Sequence, residues 1–421
     1  MINKLKPKSD FNRNIFTLMT GTAVAQAIPI LASPLLTRLY TPEDFGIFGI
    51  FMSIVTIGAI FVTGRYDYAI LLSKTKNETN HLISLSMYSS FLLSIITYIL
   101  LFNYQGILTN YFNNLKIDIW IMLIPISILF TAYFQTFSAV LNRNKDYIKM
   151  SKVKVMISIS VLLLTIIFAF IINRNLGQIY GYLFGHIFVS FYLFYFLYKN
   201  NYIYRIQISK IKYVFFKHIK FLKFSTPSDI FNSFSNIGFP LLISIAFNPI
   251  VTGLYYLSNK IIRLPLSLIF SSISGVYTQK AAELYNKKEY IELIKLTNNI
   301  QKRILIILLP FSILVSLISP FLFGFVFGED WILAGEYVRY YIVFVFFNGL
   351  YSPISQIGNI LNRQDFLLKF NFSLGFFMAF SIYLFSNIYS FKITLLITSI
   401  IGSIHFIYLN IYMNYKLRRL K

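Results

Sequence analysis

The sequence predicts an all-α integral membrane protein. Twelve transmembrane helices fall in two six-helix lobes, related by a pseudo-two-fold axis along the membrane normal. Three observations predict this. Of 421 residues, 57% are hydrophobic and 13% charged, about half the charged share of an ordinary soluble chain. The apolar residues come in long continuous runs, and the basic residues cluster between alternate runs. The second half of the chain echoes the first.

A helix needs roughly 20 apolar residues to cross the hydrocarbon core. The first run, 14–38, follows a basic N-terminal segment like a signal sequence, but it is long and polar and no cleavage pattern follows. It is read as a retained helix. Next come 46–72, 81–102, 118–141, 153–172 and 178–198. The second six are 224–247, 253–275, 303–327, 337–361, 367–386 and 392–413. Pro29, Pro34, Pro125, Pro227, Pro240, Pro265, Pro310 and Pro353 lie within spans. Such breaks are tolerated where neighbours or a wet cavity satisfy the freed carbonyls. A β-barrel would show short alternating segments instead.

Lys and Arg orient the chain. With both termini in the cytoplasm, 30 of the 38 basic residues fall on that side and five on the other. This positive-inside bias accounts for the net charge of +23 as topology and attraction to anionic lipid. Nucleic acid is not needed as a partner. Cys is absent, so disulfides and thiolate chemistry are excluded, and no metal site or catalytic residue is expected. External loops are no longer than about fifteen residues, which leaves no room for a soluble catalytic domain.

The halves repeat. Pro34-Leu35-Leu36 precedes Pro42-x-x-x-Gly46-x-Phe48, and Pro240-Leu241-Leu242 precedes Pro249-x-x-x-Gly253-x-Tyr255. Leu141-Asn142-Arg143, followed by Asp146-Tyr147, returns as Leu361-Asn362-Arg363, followed by Asp365-Phe366. Lobes of 1–198 and 224–421, joined by a basic cytoplasmic linker at 199–223, are expected. Six spans per repeat make the repeats parallel, and substrate sites in such folds lie between the halves.

The segment Leu36-Thr37-Arg38-Leu39-Tyr40-Thr41-Pro42-Glu43-Asp44-Phe45-Gly46 resembles a signature of Wzx-type polysaccharide flippases. These form the polysaccharide transporter branch of the multidrug/oligosaccharidyl-lipid/polysaccharide exporter superfamily. Gly64 to Ile70, Leu141 through Lys154, and Phe327 to Trp331 also fit. The resemblance implies a two-lobed V-shaped bundle in the bacterial inner membrane. It implies movement of undecaprenyl-diphosphate-linked oligosaccharide, O-antigen or capsule type, to the periplasmic face, with membrane lipid, a glycan polymerase and a chain-length regulator as further partners. No cofactor is expected beyond a coupling H+ or Na+.

A diphosphate headgroup needs cations where bare charge is costly. An ionisable residue inside a span costs roughly 2.5–3.5 kcal/mol and marks a site by default. Lys260 and Arg263 are three apart on one helix face, about 10 and 15 Å from the start of their span. Arg suits phosphate bidentately and Lys as a point charge. The alternatives are a structural ion pair, or snorkelling of Lys260. Arg65, about 28 Å along the second span, is placed to meet the diphosphate on entry or to anchor the helix. Asp67, two residues on, is expected to face elsewhere and to pair with a loop cation.

The first and seventh spans are unusually polar, each with two prolines. Thr22, Gln26, Asn232 and Asn236 are read as cavity lining on bendable helices, the alternative being interhelical glue. Gln356, with Gln135, Asn348 and Asn359, is placed in the same class. Thr226-Pro227-Ser228-Asp229 reads as a helix start with Thr226 as cap. Asp229 is therefore a capping residue, or alternatively a protonatable coupling carboxylate. His186 and His405 are read as packing residues, and Glu329 and Asp330 as solvated. A multidrug antiporter of the same superfamily should show cavity acids, but Asp67 and Asp229 are the only candidates. A membrane-embedded glycan polymerase or acyltransferase should show a large loop or a His/Asp cluster.

Overall fold

The structure, a computed structural model, describes residues 10–111, 120–172, 174–202, 208–361 and 363–420. Among them every regular element is helical, with no strand. The chain forms two compact units, Met1–Leu241 and Leu242–Lys421.

The first unit begins with α1 (Asp10–Leu31) and α2 (Ser33–Leu39), which part at Ala32 between Pro29 and Pro34. α3 (Pro42–Thr63) starts with a capping box: Asp44 N–H donates to Thr41 Oγ1, and Thr41 N–H donates to the Asp44 carboxylate. Two orphan donors are thereby satisfied. α3 stops at Gly64, α4 (Tyr66–Leu72) follows, and α5 (Lys76–Tyr111) is long. A 3-10 turn leads into α6 (Ile124–Arg143). Then come α7 (Tyr147–Ile171), capped by Asp146, and α8 (Arg174–Lys199). α9 (Ile208–Lys217) packs on α5, where Glu78 accepts from Lys217 at 2.7 Å and pairs with His218 at 2.9 Å. The hydrogen bond to Glu78 raises the Lys217 pKa.

α3 is the buried axis of this unit. Ile50, Phe51, Val55 and Ala59 are fully enclosed by α6 and α8. α7 and α8 approach so closely that a Cβ on Gly181 would stand 2.2 Å from Thr165 Oγ1 and 2.6 Å from Thr165 N. Gly177, Gly181 and Gly185 form the small-xxx-small spacing that lets transmembrane helices touch through backbone. Tyr40, buried beside this seam, donates to Thr165 O at 2.7 Å.

The seventh expected span is not one helix. A π turn, Phe221–Ser225, runs into α10 (Thr226–Ile237), which breaks at Gly238 ahead of Pro240; α11 (Phe239–Ala246) follows. The break frees the Ile237 carbonyl, and Ser53 of α3 donates to it at 2.7 Å. This is how a broken helix survives in an apolar medium.

The second unit contains α12 (Pro249–Asn286), α13 (Tyr290–Phe327), α14 (Ile332–Tyr351), α15 (Gln364–Phe385) and α16 (Phe391–Arg418). Asn248 caps α12 by accepting from Val251 N–H at 2.9 Å. Both Pro-x-x-x-Gly motifs therefore open a long helix with Pro in the first turn and a side-chain cap before it. α12 stays continuous through Pro265. Its 38 residues extend about 57 Å, nearly twice the hydrocarbon thickness. α13 packs on α14, α14 on α16 and α15 on α16.

Ten helices are long and apolar enough to cross a membrane, counting among the described residues. Their outer faces carry bare apolar side chains, such as Phe170 and Phe325, each about three-quarters exposed. Apolar surface on this scale belongs against lipid, so the chain is a multi-pass membrane protein. Two expected spans do not reach the requirement. The seventh is divided at Gly238, and the tenth, α14, is diluted by Glu336, Arg339 and four tyrosines.

Candidate functional site

Arg65 anchors a cluster in the first unit. Gly64 and Arg65 both take left-handed conformations, φ 56° and 55°. Arg65 has a Cβ, so this costs about 1–2 kcal/mol. A strained residue of this kind is held by its surroundings, and here the holding contacts are electrostatic. Arg65 Nε lies 2.6 Å from Asp229 Oδ2 of α10, and Nη1 lies 3.6 Å from Asp67 Oδ2 of α4. The Nε–Asp229 contact is an ion pair whose N–H is not directed at the oxygen. The guanidinium also lies 4.5 Å from the Tyr68 ring centroid, a cation–π distance. The Tyr66 hydroxyl and Asp67 Oδ1 are buried here without a hydrogen-bond partner among the described residues.

Two sequence expectations need correction here. Asp67 does pair with Arg65. The two-residue spacing forbids a shared face only in a continuous helix, and the helix is broken at Gly64–Arg65. Nor does Thr226 cap a helix. The chain reaches it already helical through the π turn, its hydroxyl donates to Phe221 O at 3.2 Å, and no side-chain cap is made there. Asp229 instead faces Arg65.

Lys260 and Arg263 lie in the second unit, one turn apart on α12 and both half-buried. Among the described residues the Lys260 ammonium has no hydrogen-bond or ion-pair partner. Arg263 lies near enough to Tyr255 and Tyr341 to act on both electrostatically. Tyr341 of α14 donates to Asn259 Oδ1 at 2.7 Å, fixing the turn that carries Lys260. Neither cation lies on the buried face of α12, which is formed by Leu257, Ile262, Leu266 and Phe270.

These cations belong to a polar line that the sequence reading missed. Tyr256, Lys260, Arg263, Ser267, Ser271, Ser274 and Thr278 recur at three- and four-residue steps along α12. At 3.6 residues per turn they share one stripe. The Ser267, Ser271 and Thr278 hydroxyls donate to carbonyls of their own helix. The spacing was present in the sequence, but Pro265 and the apolar run around it obscure the continuity.

The remaining candidates divide. Thr22 donates to Leu18 O and accepts from Lys154 Nζ at 3.0 Å, a bond that ties α1 to α7. Gln26 is half-buried on α1, and Asn232 is exposed on α10. The Asn236 side chain lies outside the described residues. Gln356 is exposed and accepts from Asn359 at 2.7 Å. Gln135 holds its Oε1 buried without a partner among the described residues. The His186 ring packs at a tilt against Tyr182, centroids 4.0 Å apart, with Nδ1 3.0 Å from Tyr182 O. His405 is held by Ile401 O and Ser373. Both histidines are packed and partnered. No group of three or more His, Asp or Glu suited to a metal occurs among the described residues.

Several solved transporters share this fold. The lipid II flippase MurJ, in an inward closed conformation, aligns with TM-score 0.76 at 15% identity, covering 96% of this chain and 89% of its own. An inward-facing multidrug resistance MATE family transporter of the MOP superfamily aligns with TM-score 0.67 at 15% identity, covering 95% of each chain. An outward-facing transporter of that description gives 0.63 at 15% identity, covering 97% and 96%. At such identities the likeness is one of fold. A sequence comparison with curated proteins gives no match. The family described as "Polysaccharide biosynthesis protein" matches residues 35–335, from the first loop motif to the start of α14. The chain therefore belongs to the polysaccharide biosynthesis protein family, built on the fold of MOP superfamily transporters.

Proposed function

We propose that this protein is a flippase for undecaprenyl-diphosphate-linked oligosaccharide repeat units of O-antigen or capsule type. It carries them from the cytoplasmic to the outer face of the bacterial inner membrane by alternating access through a cationic cavity. In this reading the chain crosses the membrane twelve times, with both termini cytoplasmic. The broken α10–α11 segment and α14 complete the ten apolar helices. Lobes of 1–198 and 224–421, joined by the linker at 199–223, move against each other.

The carrying observation is Lys260, an ammonium within a spanning helix with no internal counter-charge among the described residues. Such a cation is costly unless a ligand or water meets it. Arg263 one turn away extends the charge, and the hydroxyl line along α12 offers sugar hydroxyls weak, exchangeable bonds. Thr22, Gln26, Asn232, Asn236 and Gln356 are proposed to line the route with them. Arg65 is proposed as the entry cation, released when its bond to Asp229 opens.

A cation-coupled multidrug antiporter would need free acids. Asp67 and Asp229 instead share the Arg65 guanidinium, which leaves one formal negative charge there against the two cations Lys260 and Arg263 on α12, a balance that favours the anionic substrate. Deleting the gene tests the proposal. The lipid-linked repeat unit should accumulate on the cytoplasmic face, protected in intact cells from an impermeant sugar-oxidising label. Accumulation of unpolymerised units on the outer face would overturn it.

A further inference from the structure

In the second unit, α15 and α16 enclose a surface groove of about 440 Å³, lined by Phe366, Lys369, Phe370, Ser373, His405 and Tyr408 among others. His405 offers it no free polar atom, since Nδ1 lies 2.9 Å from Ile401 O and Nε2 lies 3.1 Å from Ser373 Oγ. Lys369 is the cation of its lining. Its ammonium has no hydrogen-bond, ion-pair or ring partner among the described residues.

The rim is aromatic and basic. Phe366 stacks on Tyr412 with centroids 3.8 Å apart, and Lys416 Nζ stands 5.5 Å from the Tyr412 ring. From Phe366 to Ser373 the groove descends about 10 Å along α15. One end therefore offers Lys369 and aromatic rings, as membrane interfaces do, and towards Ser373 the polar side chains are bonded to each other and to backbone, so the remaining wall is apolar.

The corresponding lysine in the first half is engaged. α7, like α15, follows a Leu-Asn-Arg motif. There Lys149 lies 3.9 Å over the Phe196 ring and 4.8 Å over Tyr192, whose hydroxyl it also meets. The first half covers its aromatic pair with its own lysine, and in the second half the lysine at the same register lines the groove without a partner among the described residues.

We infer that this groove binds an anionic phospholipid of the surrounding bilayer, with its phosphodiester at Lys369 and an acyl chain along Phe370 and Tyr408. The charge balance selects this occupant. Lys369, the one cation among the described lining residues, matches the single net negative charge of an anionic phospholipid, whereas a zwitterionic lipid already sets its own ammonium against its phosphodiester. A diphosphate would leave charge against apolar walls, which is costly. The inference does not depend on the proposed transport, and its test needs no transport measurement.

The test uses the full chain in nanodiscs of phosphatidylcholine holding a small fraction of diazirine-labelled lipid. Labelled phosphatidylglycerol should mark peptides containing residues 366–373 and 404–408 about fivefold more than labelled phosphatidylcholine, the preference expected of one basic residue near a lipid surface. Lys369→Gln should bring that ratio close to one, and Lys369→Arg should keep it. Equal labelling by the two lipids, or a ratio unchanged in Lys369→Gln, would overturn the inference. So would displacement of the label by unlabelled undecaprenyl phosphate more effectively than by unlabelled phosphatidylglycerol, because the groove would then belong to the carrier lipid.

Discussion

Removing the Arg65 guanidinium should destabilise the first unit more than removing its closest partner. The side chains of Arg65, Asp67 and Asp229 are 12%, 7% and 26% exposed, so the cluster is neither a surface pair nor a dry one. At about 4 Å between charge centres and an effective dielectric near 20, the attraction is about 4 kcal/mol. Desolvation offsets much of that, leaving about 2 kcal/mol, between exposed pairs and fully buried ones. Arg65→Gln loses the attraction and leaves two carboxylates facing each other, so about 2 kcal/mol is expected. Asp229→Asn leaves the Arg65–Asp67 contact and should cost about 1 kcal/mol. For a unit of this size, about 2–4 °C per kcal/mol gives Tm drops of about 4–8 °C and 2–4 °C. The assay is thermal unfolding in detergent, followed by size-exclusion recovery, across the double-mutant cycle. The double variant should be less damaged than the sum of the singles by about 1 kcal/mol. Additive losses, each below about 0.5 kcal/mol, would refute the electrostatic account of this break.

Further outcomes follow from the packing. Gly181→Leu should force α7 and α8 apart at Thr165 and cost about 1–3 kcal/mol, whereas Gly106→Leu, where a Cβ meets nothing within 4 Å among the described residues, should leave Tm unchanged. Tyr40→Phe removes the second hydrogen bond accepted by the Thr165 carbonyl, which sits within α7, and should cost about 0.5–1.5 kcal/mol, read by the same unfolding curve. Thr41→Ala removes the cap of α3 and should cost about 1 kcal/mol, with Thr41→Ser restoring it.

Much of the fold was legible because a bilayer demands apolar length. The long runs that became α3, α5, α7, α8, α13 and α16 could be read without any contact information. Pro29 with Pro34, and Pro240, also marked real breaks. The break at Gly64–Arg65 was not legible, because it depends on two consecutive left-handed residues held by Asp229, more than 160 residues away in sequence. For the same reason spacing alone separated Arg65 from Asp67, and local pattern alone assigned a cap to Thr226. Lys260 and Arg263 stood out because charge in a span is rare. Their setting beside Asn259, Tyr255 and Tyr341 depends on which face α14 covers. The glycine steps at 177, 181 and 185 were readable as a packing seam, and the four-residue spacing is the signal that would have found it.

In the proposed transport, positive charge on α12 receives the anionic lipid headgroup. The decisive comparison is of Arg263→Gln and Lys260→Gln with the wild type, by the fraction of lipid-linked repeat unit that reaches the outer face at equal protein level. Loss of charge-assisted bonds worth about 1.5–3 kcal/mol predicts a fall of about ten-fold or more for Arg263→Gln, with membrane insertion intact. Export at the wild-type rate in both variants would contradict the account.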